Sequence, residues 1–243
     1  MANRNERGER LSRSDVIALL SDGKDLSNLN LAGVSLNGLD MAAVSLNGAN
    51  LADADLSGAN LVRAVMPDVI LARACLIDAN LAQADLRQAK MERAIVRGAD
   101  LRGAKLLWAD LRSADLRMAN LTEADLRGAR LSDADFRRAV LSAANLSEAL
   151  LWGTNLEKAI LQEANLVGAD LSRAHCAGAI IWDADLSEAN LHLADFTDVD
   201  LRQTIITSQQ LAQAGSLAGA QLPADQSLRV RLLRGLARRN KPY

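Results

Sequence analysis

Along most of this chain, apolar and polar residues alternate with a period of five. From Leu26 to Leu201 the positions 26, 31, 36 and onward keep one phase over 36 places, 28 of them leucine. The others are Met41, Met66, Met91, Val96, Phe136, Cys176, Ile181 and Phe196. Two residues earlier, between Ala49 and Ala194, alanine fills 28 of 30 places, broken only by Val69 and Thr154. The residue just before the leucine is commonly Asp or Asn, as at Asp55, Asn60, Asp85, Asp100, Asp115 and Asn120.

A helix cannot use this spacing, because five steps of ~100° scatter the leucines around the cylinder. A flat strand cannot either: residues two apart share a face, so Ala and Leu agree, but the next Leu lies an odd number of residues away. The chain must therefore turn once per pentapeptide. Repeated turning around a fixed interior predicts an all-β solenoid with a continuous column of leucine. Recurrence of Arg97, Arg117 and Arg137, and of Val140, Ile160 and Ile180, at intervals of twenty hints at four pentapeptides per coil.

The motifs "ADLSG" at 54–58, "ADLRG" at 124–128 and "ANLSE" at 144–148 resemble the pentapeptide-repeat family, over about three quarters of the chain. The resemblance implies a right-handed quadrilateral parallel β-helix, and generally no catalytic activity. It places about nine coils in residues 24–203, a rod on the order of 43 Å long at ~4.8 Å per coil. Alanine fits because a narrow tube leaves little room beside each leucine, and Val69 is expected to swell its coil.

Both ends of such a rod need covering. Residues 1–23 read as a tail and a short helix over 14–22, with Ser14 as N-cap and Gly23 just past its end. Residues 204–224 break the pentapeptide pattern, with a helix expected over 208–214. They are similar to terminal segments of cyanobacterial members of the family, which suggests a bacterial source. Residues 225–243 read as a basic amphipathic helix with Leu228, Leu232 and Leu236 on its apolar side.

Composition narrows the function classes. Only six residues are aromatic, and formal net charge is −2. Residues 25–203 hold −8 and residues 204–243 hold +5. No apolar run approaches the ~20 residues that span a bilayer, and the charged N-terminus lacks a signal-peptide core. A cytoplasmic protein is expected. Cys75 should face outward and Cys176 inward, too far apart for a disulfide. His175 and Cys176 point to opposite sides and cannot share a metal. The outward Asp and Asn are expected to brace turns through side-chain to backbone hydrogen bonds. No catalytic set, metal site or cofactor motif is present, so a non-enzyme without cofactor or small-molecule substrate is expected.

Function must then lie on outward positions. The foremost candidate is the column Val140, Ile160 and Ile180, which replaces the usual Asp or Asn on one face, with Trp182 beside it. It is read three ways: as a partner site, as a surface covered by Leu228, Leu232 and Leu236 of the C-terminal segment, or as a self-stabilising ladder. Weaker candidates are Val65, Ile70 and Ile77, in an apolar cluster with Pro67 and Cys75, and the exposed Trp108 and Trp152. Arg97, Arg117 and Arg137 head a belt over residues 84–143 with twelve basic and nine acidic groups. A solvated, ion-paired face accounts for that belt better than an anion site.

The leading expectation is a protein-binding scaffold that meets an unidentified protein partner or a second copy as a homodimer. As the resemblance also implies, a DNA-mimic modulator of a type II topoisomerase is an alternative. The modest negative charge and the positive belt depart from that pattern. Contact of the basic tail with a membrane surface or nucleic acid is the weakest reading.

Overall fold

The computed structural model describes residues 11–23 and 25–223. Its central feature is a ladder in which residue i bridges residue i + 20 in parallel, unbroken from Asn30–Asn50 to His175–Asp195. Four pentapeptides therefore complete each turn of the chain and form four walls. We number the walls by the outward residue that precedes each leucine. In one turn these are Asn145 (wall one), Leu150 (two), Asn155 (three) and Ile160 (four).

Each rung is a single bridging residue, and no extended strand forms among the described residues. The cause is the tightness of the corners. The leucine carbonyl accepts from the amide three residues on, as in Leu51 O from Ala54 N at 3.1 Å. The third residue of each turn has positive φ, at every fifth position from Asn28 to Asp198. That is type II geometry, and it leaves only one residue per wall free to bridge.

The interior is as buried as the pattern predicts: the leucine column from Leu26 to Leu201 is at most 3% exposed, counting its Met, Val, Phe, Cys and Ile members. Each buried leucine contributes on the order of 1.5–3 kcal/mol before chain ordering is subtracted. Alanine sets the tube's width. Where Val69 replaces it, the corner bond stretches to 3.4 Å, against 3.0 Å at Ala64 and Ala74, and Val199 gives 3.3 Å. Thr154 and Thr204 are inward but satisfied, their hydroxyls donating to Leu131 O (3.0 Å) and Ile181 O (3.1 Å).

The outward Asp and Asn brace the corners as expected. Asn50 Oδ1 accepts from Ala52 N (3.1 Å), Asp55 Oδ1 from Ser57 N (3.0 Å) and Asn155 Oδ1 from Glu157 N (3.0 Å). Side chains also link successive coils, with Asn60 Nδ2 donating to Asp40 Oδ1 at 2.7 Å.

Helix α1 (Arg13–Ser21) covers the first coils with Leu11 and Val16 buried. Its N-cap is Ser12, not Ser14. Ser12 Oγ accepts from Asp15 N while Asp15 Oδ2 accepts from Ser12 N, a reciprocal box that Ser14 cannot form with Ile17 three residues on. Arg13 ties the helix to the rod through Ser35 O, Asn37 Oδ1 and Asn37 O at 2.8–3.1 Å. Gly23, at φ 64°, follows the helix as anticipated.

Helix α2 (Ser208–Leu211) is shorter than the expected span 208–214. Leu211 stays in phase with Leu191 and is buried, which pulls the chain back to the core. The pentapeptide pattern, expected to break here, resumes one residue late: Asp195 bridges Ser216 and Asp200 bridges Gln221. Gly215 permits the shift, since a Cβ there would lie 2.8 Å from Leu193 O. Gln210 is buried, and its Nε2 donates to Leu186 O and to Ala189 O.

Candidate protein interface

Wall four changes character halfway along the rod. Its outward residues run Asp40, Asn60, Asn80, Asp100, Asn120, then Val140, Ile160, Ile180 and Asp200. Val140 bridges Ile160, and Ile160 bridges Ile180, so the three aliphatic side chains are immediate neighbours. Val140 and Ile160 are half-buried, Ile180 is 40% exposed and Trp182, on the adjoining corner, is 46% exposed. No carboxylate or carboxamide stands here to accept from Ser142, Gln162 or Trp182 N. Three successive corners thus lack the bond their neighbours have.

The stripe ends at a gap. Ile180 and Asp200 form no bridge, the one rung missing from wall four among the described residues. Phe196 and Val199 are buried in the coil above. Trp182, Asp200, Arg202 and Gln203 line an open recess of about 410 Å³ there.

Over residues 117–183 the corner before wall four is mainly basic and the corner after it acidic, although Arg63, Arg102 and Arg202 stand farther along the second corner. Between walls three and four, Arg97, Arg117, Met118, Arg137, Arg138, Glu157 and Lys158 line a recess of about 330 Å³. Arg117 pairs with Asp115 (2.6 Å), Arg137 with Asp135 (2.6 Å) and Lys158 with Glu157 (3.0 Å). The Arg117 guanidinium, donating to Asp115, holds that carboxyl below its usual range. Arg97 and Arg138 form no ion pair among the described residues. On the other corner, between walls four and one, stand Glu123, Glu163 and Asp183, none of them in an ion pair among the described residues. Gln162 Nε2 donates to Glu163 Oε1 at 3.2 Å.

The structure thus brings Val140, Ile160, Ile180 and Trp182 together, and likewise Arg97, Arg117 and Arg137. The residues of the apolar cluster are separated: Val65 lies on wall one, Ile70 on wall two, and Cys75 and Ile77 on and beside wall three. The three tryptophans occupy three different corners and make no common aromatic patch. Trp108 is 61% exposed, and its indole lies over Gly128, where a Cβ would meet Trp108 Cδ1 at 2.5 Å. Leu228, Leu232 and Leu236 lie outside the described residues. Sequence reasoning missed Met118 (62% exposed) and Ile95, which bridges Cys75. Stacking the sequence at twenty residues would have exposed both.

No group of three or more His, Cys, Asp or Glu among the described residues could hold a metal ion. Cys176 is buried, and desolvation pushes its thiol up to about 12. No helix among them is long and apolar enough to cross a membrane.

A four-walled coil of twenty residues with an Ala-x-Leu interior defines a quadrilateral β-solenoid. The family description for pentapeptide repeats, in 8 copies, matches residues 25–61, 45–81, 79–117, 104–142, 119–149, 139–175 and 169–207, and the chain belongs to that family. No curated protein sequence matches it significantly. Among solved structures it is similar to HetL, a pentapeptide repeat protein involved in heterocyst differentiation regulation from the cyanobacterium Nostoc sp. strain PCC 7120. Identity is 30% over 88% of this chain and 98% of that one, with a TM-score of 0.34. It is also similar to a trypsin-treated form of QnrB1, a plasmid-mediated fluoroquinolone resistance protein. There, identity is 22% over 87% of this chain and 97% of that one, with a TM-score of 0.55. The fold is the right-handed quadrilateral β-helix of this family, whose members are generally non-catalytic.

Proposed function

We propose that the chain is a non-catalytic protein-binding scaffold, a stiff rod of roughly nine coils with a short helix capping each end. It docks a protein on wall four across Val140, Ile160 and Ile180, with Trp182 at the rim. One observation carries the reading. Three adjacent rungs give up the corner-bracing hydrogen bond, about 0.5–1.5 kcal/mol each, and present a continuous aliphatic stripe instead. Isolated apolar residues on a surface are ordinary, but a registered column at the cost of backbone bonds is the mark of a contact surface. The topoisomerase reading draws less support: the fluoroquinolone-resistance protein shares only the fold at this identity, and the corner beside wall four is basic.

The test is capture from a native extract with tagged wild type and with Ile160→Asp. Wild type should retain a protein that the variant loses, while both give the same far-ultraviolet spectrum and melting temperature. An identical bound set on both would end the proposal.

A further inference from the structure

Building on that reading, we propose that the protein docked on wall four is a second copy of this chain, its rod lying parallel to the first about a two-fold axis along the rods. The argument is charge complementarity across an apolar centre. Rotation about an axis parallel to the rod, in the plane of contact, keeps each coil at its own level and exchanges the two corners. The three–four corner of one copy then meets the four–one corner of the other, coil by coil.

Those corners are built to match. Arg117 and Met118 face Thr122 and Glu123. Arg138 comes to lie near the carboxylates of Glu123 and Glu163, since Ser142 and Ala143 at its own level offer no charge. Lys158, which also pairs with Glu157 of its own chain at 3.0 Å, faces Glu163. Trp182, 46% exposed, faces Ala177 and Gly178, where no large side chain obstructs the indole. Between the corners, Val140, Ile160 and Ile180 meet their own copies, and the contact is self-complementary as a two-fold demands. Arg138, Glu123 and Asp183, without ion pairs among the described residues of a single chain, acquire opposite charges within reach. An antiparallel pair would set Lys158 and Arg138 against the basic corner and is excluded by the same reasoning. The coil of Asp100 marks the lower edge, because Arg97 and Arg102 would then oppose one another. The patch spans about four coils, on the order of 19 Å along the axis. It falls below a standard interface, so the dimer is weak and salt-sensitive.

The decisive experiment is a charge swap in the full chain. Wild type, Lys158→Glu, Glu163→Lys and the double variant are compared by sedimentation over a concentration series at low salt, with melting curves to verify folding. Wild type should show a monomer–dimer equilibrium. Each single change turns two symmetric pairs from attraction to repulsion and should weaken the dimer by roughly tenfold. The double variant restores opposite charges and should dimerise as wild type does. A wild type that stays monomeric at the highest concentration, or a double variant no better than the singles, overturns the proposal. Cross-linking of wall four to residues 224–243 of the same chain also overturns it. If wild type is monomeric yet Ile160→Asp still abolishes capture of another protein, the docking face stands and only its occupant is wrong.

Discussion

Replacing Ile160 by asparagine separates the two roles the aliphatic column could have. If it exists to hold the rod together, Ile160→Asn must be costly; if it exists to dock a protein, the isolated rod should hardly notice. The backbone at Ile160 matches that at Asn165. Ile160 N donates to Ala139 O at 2.9 Å and Asn165 N to Ala144 O at 2.9 Å, while the carbonyls of Ile160 and Asn165 accept from Leu141 N and Leu146 N at 2.6 and 2.7 Å. An asparagine at 160 can therefore accept from Gln162 N as Asn165 Oδ1 accepts from Val167 N at 3.0 Å. That bond returns about 1 kcal/mol. The half-buried isoleucine it replaces forfeits about 1 kcal/mol of apolar burial. The terms nearly cancel, so the variant's unfolding free energy in urea should lie within about 1 kcal/mol of wild type. Its dimer, in sedimentation, should be lost. Destabilisation beyond about 2 kcal/mol would show that the column serves the rod and refute the docking argument.

The remaining predictions address the interior and the charges. Ala134→Leu forces three further carbons into a tube that a single valine already strains, and should cost about 1–3 kcal/mol in denaturant titration; an unchanged midpoint would mean the interior is looser than the corner bonds indicate. Cys75 is partly exposed and Cys176 buried with its thiol raised to about 12, so a maleimide at mildly alkaline pH should label one thiol in the native protein and two in denaturant. Asp85, Asp100, Asp115 and Asp125 are held low by hydrogen bonds from the arginines two residues on. Their stabilisation is full above the unfolded value near pH 4 and is lost as pH falls through the lower folded values. Melting temperature should therefore hold from neutrality to about pH 4 and decline below it, and a decline beginning near pH 6 would contradict the assignment.

Much of the fold is legible in the sequence, because a period of five admits neither helix nor flat strand and alanine limits the tube's width. What escaped depends on relations the period does not carry. Ser12 wins the N-cap over Ser14 because Asp15 answers it. The one-residue shift after Ala214 needs Gly215 against Leu193 O, a contact between coils. Of the candidate interface, the stripe is readable from spacing alone. The opposite charge of its two corners is not, since Lys158 and Glu163 are five residues apart in the chain and only the quadrilateral coil sets them on opposite sides of Ile160.

One coil offers the most direct test. Asn145, Leu150, Asn155 and Ile160 point outward from its four walls, so a photoreactive residue placed at each in turn, in the intact chain in its native extract, samples every direction at one level. The account predicts a cross-linked adduct from position 160 and none above background from 145, 150 or 155. Adducts of equal yield from position 150, on the opposite wall, or none from position 160, would contradict it.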